Sequence, residues 1–256
     1  MKKYVPFMAL GMLALSCTAP EQEAEATPPV LEDGAYSLTN ATWTYADTVV
    51  EFEPQQIKIY ADGRYMFATW NSTTNSPAMG AGAAWSENGM MYEQPYHDAN
   101  GATDSSQTFE LGITATEGGF EQTIAGMDDN DSSSFDLYEN WVALEGEATP
   151  YDGLWVLTSY NGNEGVNDFQ EIKMIGGGHF VWYHTWSDSV DHADFGYGQF
   201  LDHGEGSVTE VAQVGSIEGF AGEWQITYTM IGSDMLQQSY INNTDSTEVV
   251  QNYKRL

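Results

Sequence analysis

Basic residues are scarce in this chain, and cysteine is nearly absent. Only 7 lysines and arginines stand against 38 aspartates and glutamates, a formal charge of −31. A surface so acidic repels phosphate backbones and anionic lipid headgroups, which excludes nucleic acid as a partner. The single cysteine, Cys17, leaves neither a disulfide nor a thiolate zinc set to hold a fold together. The chain also lacks a Gly-x-Ser-x-Gly nucleophile turn, a phosphate-binding glycine loop and a His-Glu-x-x-His zinc helix. No stretch carries a convincing helical period. No catalytic residue, cofactor or metal ligand follows from motifs.

What is present begins at the N-terminus. Lys2 and Lys3 precede an apolar run from Tyr4 to Leu15, with small residues just before Cys17. That order matches the charged region, apolar region and cleavage zone of a secretory signal. The run is too short to cross a bilayer, which takes about 20 residues. The ending Leu13-Ala14-Leu15-Ser16-Cys17 resembles a bacterial lipobox, with Ala14 where leucine is commoner. The resemblance implies that residues 1–16 are removed and that Cys17 is lipidated. Without Lys2 and Lys3, 5 basic residues face 38 acidic ones, a formal charge of −33. Residues 17–32 are acidic, proline-containing and without apolar period, as a flexible tether would be. An acidic stretch behind a lipidated cysteine looks like the surface-export signal of Bacteroidetes lipoproteins, which implies an outer-membrane or cell-surface location. Membrane contact would then run through the lipid alone.

The strongest internal signal is a duplication. Gln56-Ile57-Lys58-Ile59-Tyr60 lies over Glu171-Ile172-Lys173-Met174-Ile175, 115 residues further on. Phe109-Glu110-Leu111-Gly112-Ile113 lies over Trp224-Gln225-Ile226-Thr227-Tyr228 at the same spacing of 115. Asp33-Gly34-Ala35-Tyr36 matches Asp152-Gly153-Leu154-Trp155, and Glu139-Asn140-Trp141 matches Gln251-Asn252-Tyr253. Four matches in one order define two homologous domains, residues 33–145 and 151–256, each long enough to bury its own core.

Both halves read as all-β. Trp224, Ile226, Tyr228 and Met230 alternate with polar residues, as do Phe109, Leu111, Ile113 and Ala115, so each run puts one apolar face on a sheet. Short runs are separated by turn residues such as Ala61-Asp62-Gly63, Asn161-Gly162 and Gly176-Gly177-Gly178. Gly80, Gly82, Gly196 and Gly198 fall inside strand-like runs, where glycine marks a bulge or sharp bend. Many short antiparallel strands in about 100 residues leave a sandwich or a closed barrel.

The second half resembles a small lipocalin-like domain of Bacteroidetes exported proteins. The residues that carry the likeness are Gly153-Leu154-Trp155, Ile172-Lys173-Met174 through Phe180-Val181-Trp182, Phe195-Gly196-Tyr197-Gly198, Val208-Thr209-Glu210 and the closing Tyr253-Lys254-Arg255. The first half matches more loosely. The resemblance implies two tandem antiparallel β-barrels. It also implies that Trp155 packs across the bottom of its barrel with Arg255 over its face, a guanidinium on an indole. In the first half Tyr36 and Ala143 replace that pair.

Candidate ligand-binding residues are Trp182, His184, Tyr197, Glu210, Trp224 and Tyr228. The aromatic ones line a cavity or fill a solid core, since small barrels are often filled. Glu210 faces inward only if Val208 does, and then needs a partner such as His184 or Lys173; otherwise it faces solvent. His184, Asp188, Asp191, His192 and Asp194 gather around one loop but match no metal spacing. Asp128-Asp129-Asn130-Asp131-Ser132 lacks the glycine and distant glutamate of a calcium loop.

The aligned positions Phe67, Thr69, Ala81, Phe109 and Ile113 are smaller and almost wholly apolar, which places any ligand pocket in the second half. The expectation is a lipid-anchored protein that binds a small apolar or amphipathic molecule in a β-barrel. The alternatives are an envelope interaction protein with solid barrels, and an enzyme using Glu210 and a histidine.

Overall fold

The computed structural model describes residues 31–53, 55–71, 76–98, 106–128, 134–164, 169–186, 189–242 and 245–256. The leader, Cys17 and most of the tether lie outside the described residues. So do residues 129–133, Asp188 and the side chains of Asp128, Asp191 and His192.

Among the described residues every regular element is a strand. The first nine are β1 (Gly34–Thr44), β2 (Val49–Phe52), β3 (Gln55–Ala61), β4 (Arg64–Asn71), β5 (Ser76–Glu87), β6 (Met90–Asp98), β7 (Phe109–Thr116), β8 (Gly119–Asp128) and β9 (Ser134–Ala143). The second set is β10 (Gly153–Tyr160), β11 (Asn163–Glu164), β12 (Phe169–Gly176), β13 (His179–Trp186), β14 (Ser189–Asp202), β15 (Ser207–Gly215), β16 (Gly222–Ile231), β17 (Met235–Ile241) and β18 (Glu248–Arg255). Neighbours in sequence pair antiparallel, and each sheet closes on itself, β1 on β9 and β10 on β18. The result is two closed eight-stranded barrels in tandem. The short β2 and β11 add to the free stretches of β1 and β10. Closure removes the exposed sheet edges that invite aggregation.

Local chemistry fixes this path. The β3–β4 turn holds Asp62 and Gly63 at φ of 53° and 68°, and the matching β12–β13 turn holds Gly177 and Gly178 at 56° and 69°. Two successive positive φ values make the tight hairpin whose twist fits the flanking strands. Gly82 and Gly198 each sit at a register shift within a strand pair. A Cβ at either would lie 2.0 Å from a carbonyl oxygen of the neighbouring strand, so only glycine lets the backbones approach there.

Three apolar clusters hold the molecule. One fills the first barrel around Tyr36, Tyr65, Phe120 and Trp141. Another fills the lower part of the second around Trp155, Phe180, Phe200, Tyr228 and Tyr253. The third belongs to neither interior. It joins Ile57, Ile59, Met66, Met79 and Ala81 of the first barrel to Leu154, Met174, Val181, Phe195 and Tyr197 of the second. Trp70 stacks on Phe195 across this seam, ring centres 5.4 Å apart. Gly176 permits the close approach, because a Cβ there would lie 2.7 Å from Ile59 Cγ2. The strands at the seam are therefore apolar on their outer face, and their inner face is free to carry polar groups.

Candidate ligand-binding site

On β12 the outward Ile172 and Met174 alternate with the inward Glu171, Lys173 and Ile175. Lys173 is only 2% exposed. A buried ammonium needs partners, and it has them. Its Nζ donates to Glu210 Oε1 at 2.5 Å and to Gln238 Oε1 at 3.0 Å. The Tyr228 hydroxyl shares its one proton between the same two acceptors, 2.6 and 2.8 Å away. Gln238 in turn donates to Gln251, Gln251 to Glu171, and Tyr253 to the other Glu171 oxygen. His184 Nε2 closes the chain on Glu171 Oε2 at 2.6 Å. A continuous polar layer crosses the barrel from β15 to β13.

The electrostatics follow from burial and pairing. Burial alone would raise the Glu171 carboxyl. The facing His184, the nearby Lys173 and the bonds from His184 and Tyr253 outweigh it and hold the group below the ordinary carboxylate range. Burial, then the Glu210 charge and its hydrogen bond, push the Tyr228 phenol far up, so it stays a donor.

The first barrel carries the same device. Lys58 donates to Glu93 and Gln122, Tyr60 donates to Glu93, and Gln122 and Trp141 donate to Glu139. Lys58 and Lys173 occupy one position of the duplication. Two of the 7 basic residues coinciding in the repeat was the available sign that both face inward. The chemistry then diverges. Among the described residues no histidine faces Glu139, and desolvation outweighs the pull of Lys58 and the Trp141 bond, so its carboxyl is raised.

Above the polar layer of the second barrel lies a cavity of about 380 Å³. Lys173, Glu210, Gln238, Gln251 and Glu171 form its floor, and His184, Trp182, Trp186, Phe220, Trp224 and Tyr240 its walls. Phe220 meets Trp182 edge-on at 5.0 Å and lies nearly parallel to Trp224 at 6.3 Å, while Tyr240 meets Trp224 edge-on at 6.0 Å. Trp224 Nε1 donates to the Phe220 carbonyl, which ties the β15–β16 loop to the wall. Gly196 makes room for these rings. A Cβ there would stand 2.3 Å from Phe220 Cε1 and 2.7 Å from Trp182 Cζ2.

Of the residues singled out in the sequence, Trp182, His184, Glu210 and Trp224 come together around this cavity. Tyr228 lies beneath them, with its hydroxyl on Glu210. Tyr197 does not join them. With Gly196 turned inward, its neighbours Phe195 and Tyr197 point outward into the seam, where burial raises the Tyr197 phenol to about 12. Ala81, its aligned position, lies in the same seam. At the other end of the barrel Trp155 is fully buried, and Arg255 lies 4.4 Å from its ring centre. Arg255 Nη1 donates to the Asp152 carbonyl and to Asp62 of the first barrel. Trp186, Phe220 and Tyr240 were missed in the sequence. Among the described residues no group of three or more His, Cys, Asp or Glu is placed to hold a metal, and Asp194 accepts from Trp186 and Ser216.

No protein family model matches the chain, and no curated protein does. Two solved structures align with most of its length. An uncharacterised protein, YLR301w from Saccharomyces cerevisiae, aligns at 11% identity and TM-score 0.49, over 87% of this chain and 98% of its own. A protein of unknown function from the DUF3598 family of Nostoc punctiforme aligns at 10% identity and TM-score 0.28, over 88% of this chain and 96% of its own.

Proposed function

We propose that this chain is an exported, lipid-anchored binding protein of lipocalin-like type, which captures a small amphipathic molecule in its second barrel. The observation that carries the reading is the cavity of about 380 Å³, with aromatic walls above a polar floor. Sites for small ligands are concave, mostly apolar and furnished with a few fixed polar groups, in cavities of roughly 300–1,000 Å³. The open upper barrel favours capture over an interaction protein with solid barrels. The lipocalin-like character is supported by the guanidinium of Arg255 on Trp155. The anchor rests on Lys2, Lys3, the apolar run and Cys17, and the surface location on the acidic tether behind Cys17. Cys17→Ala is expected to release the protein from membranes, and persistence of a lipidated, membrane-bound variant would refute the anchor. Native mass spectrometry of protein purified from its host tests capture directly. A retained small molecule that is lost in Trp224→Ala supports it, and retention unaffected by that change places the site elsewhere.

A second reading has one observation in its favour. His184 and Glu171 both face the cavity and are 2.6 Å apart. A carboxylate that orients an imidazole is an arrangement for proton transfer. Glu210, the residue first considered for an enzyme, is engaged by Lys173 and Tyr228 instead. A captured molecule recovered chemically unchanged after long incubation counts against catalysis.

A further inference from the structure

We infer that the second barrel selects an organic cation, a molecule with a protonated or quaternary amine on an apolar body. This rests on the reading of the cavity as a ligand site and adds the ligand's charge. Three carboxylates, Glu171, Glu210 and Glu218, face the cavity against Lys173 and His184. With the imidazole charged, Glu171 and Glu210 balance His184 and Lys173, and the exposed Glu218 leaves one negative charge in excess. A bound amine completes that balance, whereas a bound anion worsens it.

The geometry gives the cation a place. Glu210 is 4% exposed, and its Oε1 takes the bonds from Lys173 and Tyr228. Its Oε2 accepts no hydrogen bond among the described residues, yet the side chain faces the cavity. The cavity reaches this oxygen, so an ammonium N–H can bond to it directly. Trp182, Phe220, Trp224 and Tyr240 line the same cavity, with Phe220 at 89° to Trp182 and Tyr240 at 85° to Trp224. Ring faces carry negative potential and attract a cation, most strongly where water is excluded. Lys173 donates to Oε1 and to Gln238 and not to Oε2.

Three probes of matched size separate charge from shape: phenylbutylamine, phenylbutanol and phenylbutyrate. Each is titrated into the full chain by calorimetry, with tryptophan fluorescence as a second readout. The amine is expected to bind about tenfold tighter than the alcohol, with the acid weakest. Glu210→Gln should remove most of that difference while the alcohol still binds. Because Glu210→Gln can disturb Lys173, the exposed Glu218→Lys provides a change that leaves the buried layer intact. It should weaken the amine about threefold and spare the alcohol. Equal binding of amine and alcohol, or tightest binding of the acid, overturns the cation inference and leaves the cavity as the ligand site. Absence of binding by all three overturns both.

Discussion

Lys173 and Glu210 are the residues on which the second interior turns. Their ion pair is buried on both sides, with side-chain exposures of 2% and 6%. Removing one partner of such a pair leaves an uncompensated charge and typically costs about 3–5 kcal/mol. Lys173→Met is therefore expected to lower the urea midpoint strongly. The double change Lys173→Met with Glu210→Leu should recover much of the loss, and a double variant no better than the single one would show that the pair is not the cause. Two other buried carboxylates answer pH in opposite senses. Glu171 is held below its ordinary value of 4.5, so its contribution is present above that value and is lost as pH falls through its lowered folded value. Glu139 is held above 4.5, so its contribution is present below that value and is lost as pH rises through its raised folded value. At neutral pH Glu139→Gln should then raise the unfolding midpoint and Glu171→Gln lower it. Gln251, at the position aligned with Glu139, already has the neutral form. Denaturation curves of the two variants at neutral pH and near pH 4 would show this, and parallel shifts of one sign would contradict it.

At the scale of the strand, the barrel end depends on β10 and β18. Trp155 pairs in register with Arg255, is fully buried, and donates its indole N–H to the Tyr151 carbonyl. Losing a buried tryptophan costs about 3–5 kcal/mol, so Trp155→Ala should unfold the second barrel or nearly so. Arg255→Lys keeps the charge and loses the planar stack, so it should cost less. An Arg255→Lys variant that melts like the wild type would mean that the stack contributes nothing beyond charge. The strands themselves were legible in the sequence. Period two in Trp224, Ile226 and Tyr228 and the turn residues around Gly63 and Gly178 gave the all-β form and its barrel alternative. Which face turns inward was less legible. On β3 and β12 both faces are buried, so alternation of isoleucine with lysine invites the wrong assignment, and the isoleucines in fact face the other barrel. Tyr197 was placed among the cavity residues by its size and polarity. Period two could tie it to Phe195 but could not say which side Gly196 takes. The aromatic wall from Phe220 arises in a loop, where no period exists to read.

For the whole molecule, the seam decides whether two barrels behave as one body. Its residues come from β1, β3, β4 and β5 on one side and from β10, β12, β13 and β14 on the other. Each large apolar side chain there contributes about 1.5–3 kcal/mol by leaving water, an upper figure for a partly compact unfolded chain. The ion pair between Arg255 and Asp62 adds little, because Asp62 is 67% exposed. Apolar packing therefore dominates, and the intact chain should melt in a single transition. Residues 151–256 produced alone would expose Leu154, Met174, Val181, Phe195 and Tyr197 together, a contiguous apolar face of the kind that drives association. That fragment is expected to self-associate when examined by sedimentation. Val181→Lys with Phe195→Lys should return it to a monomer, since neither side chain points into its own barrel. In the full chain the same pair of changes buries unpaired charge in the seam, so it should split the single melt into two. A fragment that stays monomeric without the lysines, or a full-length double variant that still melts in one step, would mean that the seam is not what joins the barrels.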